Sequence, residues 1–280
     1  VCRAPMPEVA GLRFGIFNTS IMMHHLVKFE HLMTDQAKAR CEEMVCEGCH
    51  NNAGMQATDY QFHGYNDNMP AMAVETLVLA GERFGEEAWI QMGLWKLVRL
   101  AEMLSRCGLI SEYNSPNYLP DTIHHLMTLY KYTQNEQVRE HAGKIVKRLW
   151  ADLASHWHPA ARCPAGPFSR AYLDDFNNYI SPLNCLCWFL FGPEVSGISA
   201  TEAIMPRPGL QCMHGNDPLE HTARMAWYAT TDDALLDDAM ARRFVHKDYP
   251  YEVRASTEQG TTAHSPLKRV DTQSYMQQAY

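Results

Sequence analysis

Gly108 to Asp121 reads Gly-Leu-Ile-Ser-Glu-Tyr-Asn-Ser-Pro-Asn-Tyr-Leu-Pro-Asp. It packs one carboxylate (Glu112), two phenols (Tyr113, Tyr118) and two carboxamides (Asn114, Asn117) into one short stretch, stiffened by Pro116 and Pro120. Proton-transfer and hydrogen-bonding groups set this close together, just ahead of a helix, suit the handling of a sugar. Connectors between regular elements are also where scaffolds carry their chemistry. The same residues suit a turn bonded to itself, its tyrosines packed on neighbouring helices.

The elements that must position this stretch are helices. Long apolar-periodic segments flank it. Glu86 to Cys107 carries Trp89, Leu94, Leu97, Val98, Ala101 and Leu104 on one stripe, and a helix opening at Pro120 turns Ile123, Leu126, Met127 and Tyr130 inward. Asn135 to Trp157 is the most regular, with Val138, Ala142, Ile145, Val146, Leu149 and Leu153 at helical spacing. Further helices are expected over Gly15 to Thr34, Asp35 to Cys46, Pro70 to about Gly81, Leu183 to Phe191, Asp217 to Tyr228 and Thr231 to Phe244. Glu47 to Asn68 and Gly192 to Gly215 read as irregular. From Val245 the character changes, and Tyr251-Glu-Val-Arg with the Thr/Gln-rich remainder reads as extended strand. The expected division is a helical domain over 1–245 and a β segment over 246–280.

Bulk properties narrow the function. The 280 residues are 46% hydrophobic and 20% charged, which is globular. Net charge is -8 and no basic stripe is present, which argues against a nucleic-acid partner. No apolar run is long enough to span a membrane, and no signal peptide is visible at the opening Val-Cys-Arg. A local Arg/His cluster can still oppose the global sign and hold an anionic sugar. Nine cysteines, an odd count, read mostly as small buried apolar residues, with some pairing expected if the chain is exported.

The helix-opening prolines set a period. Pro70 and Pro120 are 50 residues apart, and Pro218 follows after 98 more, close to twice that. The missing beat falls at Gly-Pro-Phe-Ser-Arg (166–170) and an earlier one near Asn18. Ile-Met-Met-His-His-Leu at 21–26 echoes Asp-Thr-Ile-His-His-Leu at 121–126. A repeat near 50 residues means stacked αα-hairpins. If the stack closes into a ring, every loop ahead of an inner helix meets at one end. Repeated αα-hairpins, loops rich in Tyr, Asn and His, and a trailing β region resemble the (α/α)-toroid carbohydrate-active superfamily. That group includes heparinase II/III-like and alginate-lyase-like polysaccharide lyases and several glycoside hydrolases. The resemblance covers the layout of residues 15–245, and it implies an all-α, toroid-like ring with a short β segment at the C-terminus.

It also implies site residues. Lyase chemistry neutralises a uronate carboxylate, removes the adjacent proton and protonates the leaving oxygen. On the family pattern Asn66, Asn68, Asn114, Arg170 and His125 or His63 neutralise or orient, with Asp67 and Asn117 beside them. Tyr118 or Tyr113 is the phenolic acid/base, and Tyr172 is a third candidate. A phenol with pKa ~10 needs a nearby cation to act as a base, and Arg170 or a histidine would supply it. A glycoside hydrolase would instead set Glu112 against Asp67, Asp59 or Asp121. Asp67, Asp121 and Asp217 also suit plain helix starts.

Other signals carry competing readings. Cys46-Glu-Gly-Cys49-His50 fits the c-type haem attachment pattern, a local disulfide, or two buried thiols. His24-His25 and His124-His125 are helical neighbours pointing about 100° apart, so neither pair chelates one ion and one member of each should face inward. His156 and His158 flank Trp157 at a helix end, where positive charge is favoured. The tryptophans suit core more than sugar platforms. Sixteen methionines and several cysteines also fit an apolar cavity acting on a terpenoid-like substrate, as a dehydratase, isomerase or cyclase. A non-catalytic helical-repeat binding protein is the remaining class. The favoured expectation is a lyase acting on a uronic-acid-containing oligo- or polysaccharide, without cofactor or metal.

Overall fold

The computed structural model describes residues 15–54, 62–171, 181–204, 235–260 and 266–278, the side chains of 51–54 and 203–204 excepted. The paired helices expected from the sequence are present: α1 (Ile16–Phe29) with α2 (Asp35–Gly54), α3 (Asn68–Phe84) with α4 (Glu87–Cys107), and α5 (Tyr118–Tyr132) with α6 (Glu136–His156). α7 (Pro182–Phe191), the short α8 (Pro193–Ser196) and α9 (Ala200–Ile204), and α10 (Asp238–Val245) follow. Two antiparallel pairs of strands complete the described chain, β1 (Trp157–His158) with β2 (Cys163–Pro164) and β3 (Tyr251–Gln259) with β4 (Lys268–Met276). The protein is thus mostly helical, with a β-hairpin near its C-terminus.

The helices form two layers. α3 packs on both α1 and α5, and α5 on α7, giving an inner row; α4 packs on α2 and α6, and α6 on α10, giving an outer one. Burial follows this. Nearly every residue of α3 from Asn68 to Gly81 is buried, whereas α6 buries one stripe that includes Val138, Ala142, Ile145, Val146, Leu149 and Leu153. A one-sided stripe marks a helix with a solvent face; burial all round marks a helix enclosed by neighbours.

Local chemistry explains the boundaries. Asn135 accepts from the Val138 N–H to cap α6, and Ser181 forms a capping box with Asn184 at α7. Pro70 and Pro120 each lie in a first turn, where a missing N–H costs nothing. α3 and α5 start two residues ahead of those prolines. α4 ends at Gly108, in the left-handed region.

Two expectations are corrected. The second helix does not stop at Cys46 but runs to Gly54. Gly48 within it allows α1 to approach, since a Cβ there would stand 1.9 Å from the Thr19 hydroxyl. The last helix covers only Asp238–Val245, because Leu235 takes a positive φ and Asp237 caps the start by accepting from Met240. The expected helix over Asp217 to Tyr228 lies outside the described residues. Among the tryptophans, Trp89, Trp150 and Trp157 are buried, Trp95 is exposed, and Trp227 is outside the described residues.

The hairpin β3–β4 is placed by side-chain bonds to loop carbonyls. Ser256 donates to the Cys107 carbonyl (2.9 Å), Thr257 to that of Ile110 (3.0 Å), and Gln259 to that of Ser111 and to the Ser169 hydroxyl (both 2.8 Å). The Gly260 N–H donates to Gly64 (2.8 Å). Gly64 has φ +80°, and a Cβ there would sit 2.6 Å from the Glu258 carbonyl oxygen.

Candidate functional site

Three connectors meet at one end of the inner layer: 62–67 ahead of α3, 108–117 ahead of α5, and 159–171 after α6. The centre of their junction is Glu112, 0% exposed. One oxygen accepts from the backbone N–H groups of Asp67 and Asn68, both at 2.9 Å. The Asn68 amide donates to both oxygens, and the Arg170 guanidinium donates to Oε1 at 2.7 Å. The α3 N-terminus thus offers its unsatisfied N–H groups to a carboxylate from the next loop.

Asp67 repays the contact. It precedes α3 but makes no capping bond there; its Oδ2 accepts instead from the Ser111 hydroxyl and the Glu112 N–H (2.8 Å). Each carboxylate therefore fixes the other's backbone. Burial pushes the Asp67 carboxyl well above its ordinary range, and the Glu112 charge adds to this. Burial raises Glu112 too, against the opposing pull of Arg170 and the bonds from Asp67 and Asn68.

Arg170 joins this buried knot to the surface. It is a third exposed, takes a positive φ, and holds its guanidinium carbon 4.5 Å from the centre of the Tyr118 ring and 5.9 Å from that of Tyr65. Tyr65, 41% exposed, stacks on His63 with centroids 6.0 Å apart. His63, Tyr65, Arg170 and Tyr118 thus form a row of rings about one cation at the mouth of the loops.

The expected site residues divide accordingly. Asn68, Asp67, Glu112, Arg170 and Tyr118 come together, with His63 beside them through Tyr65. Asn66 and Asn114 are spent on the loops: Asn66 accepts from the Met69 N–H (3.3 Å), and Asn114, at positive φ, donates to the carbonyls of Ala165 (3.2 Å) and Pro167 (2.9 Å). Asn117 precedes α5 and is buried. Tyr113 is buried and burial pushes its phenol up; its carbonyl accepts from Ser169 (3.0 Å). His125 lies two turns into α5, against Glu75. Tyr172 and Asp59 lie outside the described residues.

Glu112 and Asp67 fit poorly as a hydrolase pair: a glycosidase needs two carboxyl groups facing across the sugar bond, whereas Glu112 Oε2 and Asp67 Oδ2 each accept from the other's backbone N–H. Asp121 is buried in the first turn of α5. The haem pattern fares no better. Cys46 is in a disulfide that does not involve Cys49, and Cys49 is a free, buried thiol directed at the Thr76 carbonyl (3.8 Å). Among the described residues no three His, Cys, Asp or Glu side chains are arranged to hold a metal ion, and no helix is long and apolar enough to cross a membrane.

Sequence reading missed Tyr65, Ser111 and Glu75. Tyr65 was visible in His-Gly-Tyr-Asn-Asp-Asn, next to residues that were chosen. Glu75 was marked by the repeat, 51 residues after His24 and 50 before His125.

A family model described as a domain of unknown function (DUF8769) matches residues 14–228. The chain belongs to that family. The matched span contains all three loops and every candidate residue, and ends before the β3–β4 hairpin. No curated protein and no solved structure matches the chain.

Proposed function

We propose that the chain is a carbohydrate-active enzyme on an (α/α)-toroid plan, whose loop end binds an acidic polysaccharide and cleaves it by β-elimination. The observation that carries this reading is the Arg170 guanidinium, tied to buried Glu112 and lying 4.5 Å from the Tyr118 ring centre. Arg170, with His63 nearby, meets the uronate carboxylate and drains charge from the carbon beside it. Asn68 and Asn114 hold the loops and leave the anion to the cation.

Tyr118, as the phenolate, takes the proton next to the carboxylate. The electron pair of the broken C–H bond becomes the new C=C bond, the C–O bond to the leaving sugar breaks, and the phenol returns the proton to that oxygen. No oxidant or reductant enters. A phenol in this role needs a nearby positive charge, which Arg170 supplies.

The test is a panel of alginate, polygalacturonate and heparin, followed by ultraviolet absorbance of the unsaturated product. Wild type is expected to raise absorbance on at least one glycan, Tyr118→Phe on none. New reducing ends without absorbance would replace elimination by hydrolysis, and neither signal on any glycan would remove the carbohydrate reading.

A further inference from the structure

Two turns below the loops, the inner helices carry a second cluster that elimination does not use. Asn68 and Glu75 are seven residues apart on α3, as are Tyr118 and His125 on α5, so each pair shares a helix face with ~10 Å of rise between its members. Glu75 meets His125 through Oε2 and Nδ1 in a very short contact. Its other oxygen, Oε1, stands 3.9 Å from Nδ1 of His24 on α1. His124 adds a third imidazole, its ring centre 5.4 Å from that of His24 and 5.8 Å from that of His125. All three imidazoles are 0% exposed and Glu75 is 1%. Both members of the His124-His125 pair are therefore buried, where one was expected, because α5 is enclosed on every side.

The cluster follows from the repeat: successive inner helices place His24, Glu75 and His125 at one level. A carboxylate sealed from water needs charged or hydrogen-bonding partners, and here they come from the helices on either side. We propose that His24, Glu75 and His125 form a proton-binding site that fastens α1, α3 and α5 together near neutral pH and loosens them when a further proton enters.

The charges explain the release. Glu75 is already engaged by His125 through Oε2. The proton that loosens the site goes to His24, which faces Glu75 on α3, His124 and His125 on α5, and Lys28 on its own helix. Burial, opposed by Glu75 and helped by Lys28 and His125, keeps His24 below the ordinary imidazole range. Burial alone would raise Glu75, but His125 and His24 outweigh it and hold the carboxyl at about 2. α2, packed on α1 and α3, brings the Cys49 thiol, which burial pushes up and leaves uncharged. α4, packed on α3, carries buried Lys96, which burial alone lowers to about 8.

The signs are set by linkage. As pH falls below the ordinary imidazole value of 6.5, the unfolded chain protonates His24 and the folded one resists, so stability is lost there. Glu75 adds a second loss between 4.5 and about 2. The inner row should therefore loosen in mild acid, ahead of the outer row.

Amide hydrogen exchange at about pH 7.5 and about pH 5, corrected for intrinsic rates, tests this. In wild type, α1, α3 and α5 are expected to lose about tenfold more protection in acid than α4 and α6. His24→Gln should abolish that difference, and Glu75→Gln should loosen the three inner helices already at the higher pH. Parallel loss in both rows of the wild type overturns the proposal, as does a wild-type difference persisting in His24→Gln. If His24→Gln does not fold, the wild-type comparison of the two rows decides.

Discussion

At the rim, Glu112 pairs with Arg170, a cation one-third exposed to solvent. Two turns lower, Glu75 pairs with imidazoles sealed from solvent. Both carboxylates are buried and both bind neighbouring repeats, but they take different partners. Glu112 gathers backbone N–H groups and so fixes the path of loops. Glu75 gathers side chains only and so fixes helices. A guanidinium keeps its charge across the physiological range, whereas imidazoles would make the lower site answer to acid. Repetition thus supplies equivalent positions, and the residue that fills each one decides whether it touches solvent chemistry or internal packing.

The sharpest break between the two levels is Tyr118→Phe. The proposed elimination should fall by at least about 10²-fold, with circular dichroism and acid-dependent exchange unchanged; loss of the fold as well would make the ring a packing element. Glu112→Ala should come next. It strands Arg170 and the α3 N–H groups, and thermal or denaturant unfolding should report a loss of roughly 3–5 kcal/mol. A loss under about 1 kcal/mol would mean that the rim knot is weakly coupled to the fold.

Gly64→Ala asks whether the hairpin supports the rim. Its positive φ and the contact with Glu258 predict a cost on the order of 1–3 kcal/mol, together with faster proteolysis within β3–β4. Asp67→Asn is the mildest change. The wild-type carboxyl is raised above its ordinary value of 3.8, so the stability given by its protonated form is lost as pH climbs toward about 7. The amide removes that loss, so melting temperatures measured against pH should favour the variant progressively toward neutral pH, by on the order of 1 kcal/mol. Equal pH slopes for the two proteins would mean that Asp67 stays ionised.

Much of this scaffold was legible. The prolines at 70 and 120 set the beat of the hairpins, and the apolar stripe of Asn135 to Trp157 placed α6. The change in character after Val245 placed the strands. Each is a local or periodic signal. The partners chosen by polar groups were not legible, because they are long-range: nothing near Asp67 says that its carboxylate serves Ser111 and Glu112 and leaves the capping of its own helix to Glu112 and Asn66. Asn66 and Asn114 looked like substrate ligands for the same reason, since an amide that staples a loop and one that waits for a sugar have the same sequence. Glu75 looked like a lone acid in an apolar helix, and only the repeat, which sets His24 51 residues before it and His125 50 after, marks its partners.

The β3–β4 hairpin bonds to loop carbonyls from Gly64 to Ser111 and to the Ser169 hydroxyl. Segments far apart in the chain are therefore gauged against one ruler. A length change in any of them must be absorbed away from the strands, or it shifts the others as well. These connectors are free to diverge in side chains while being held to a common height, so variation among relatives should concentrate in what the loops display and spare where they stand.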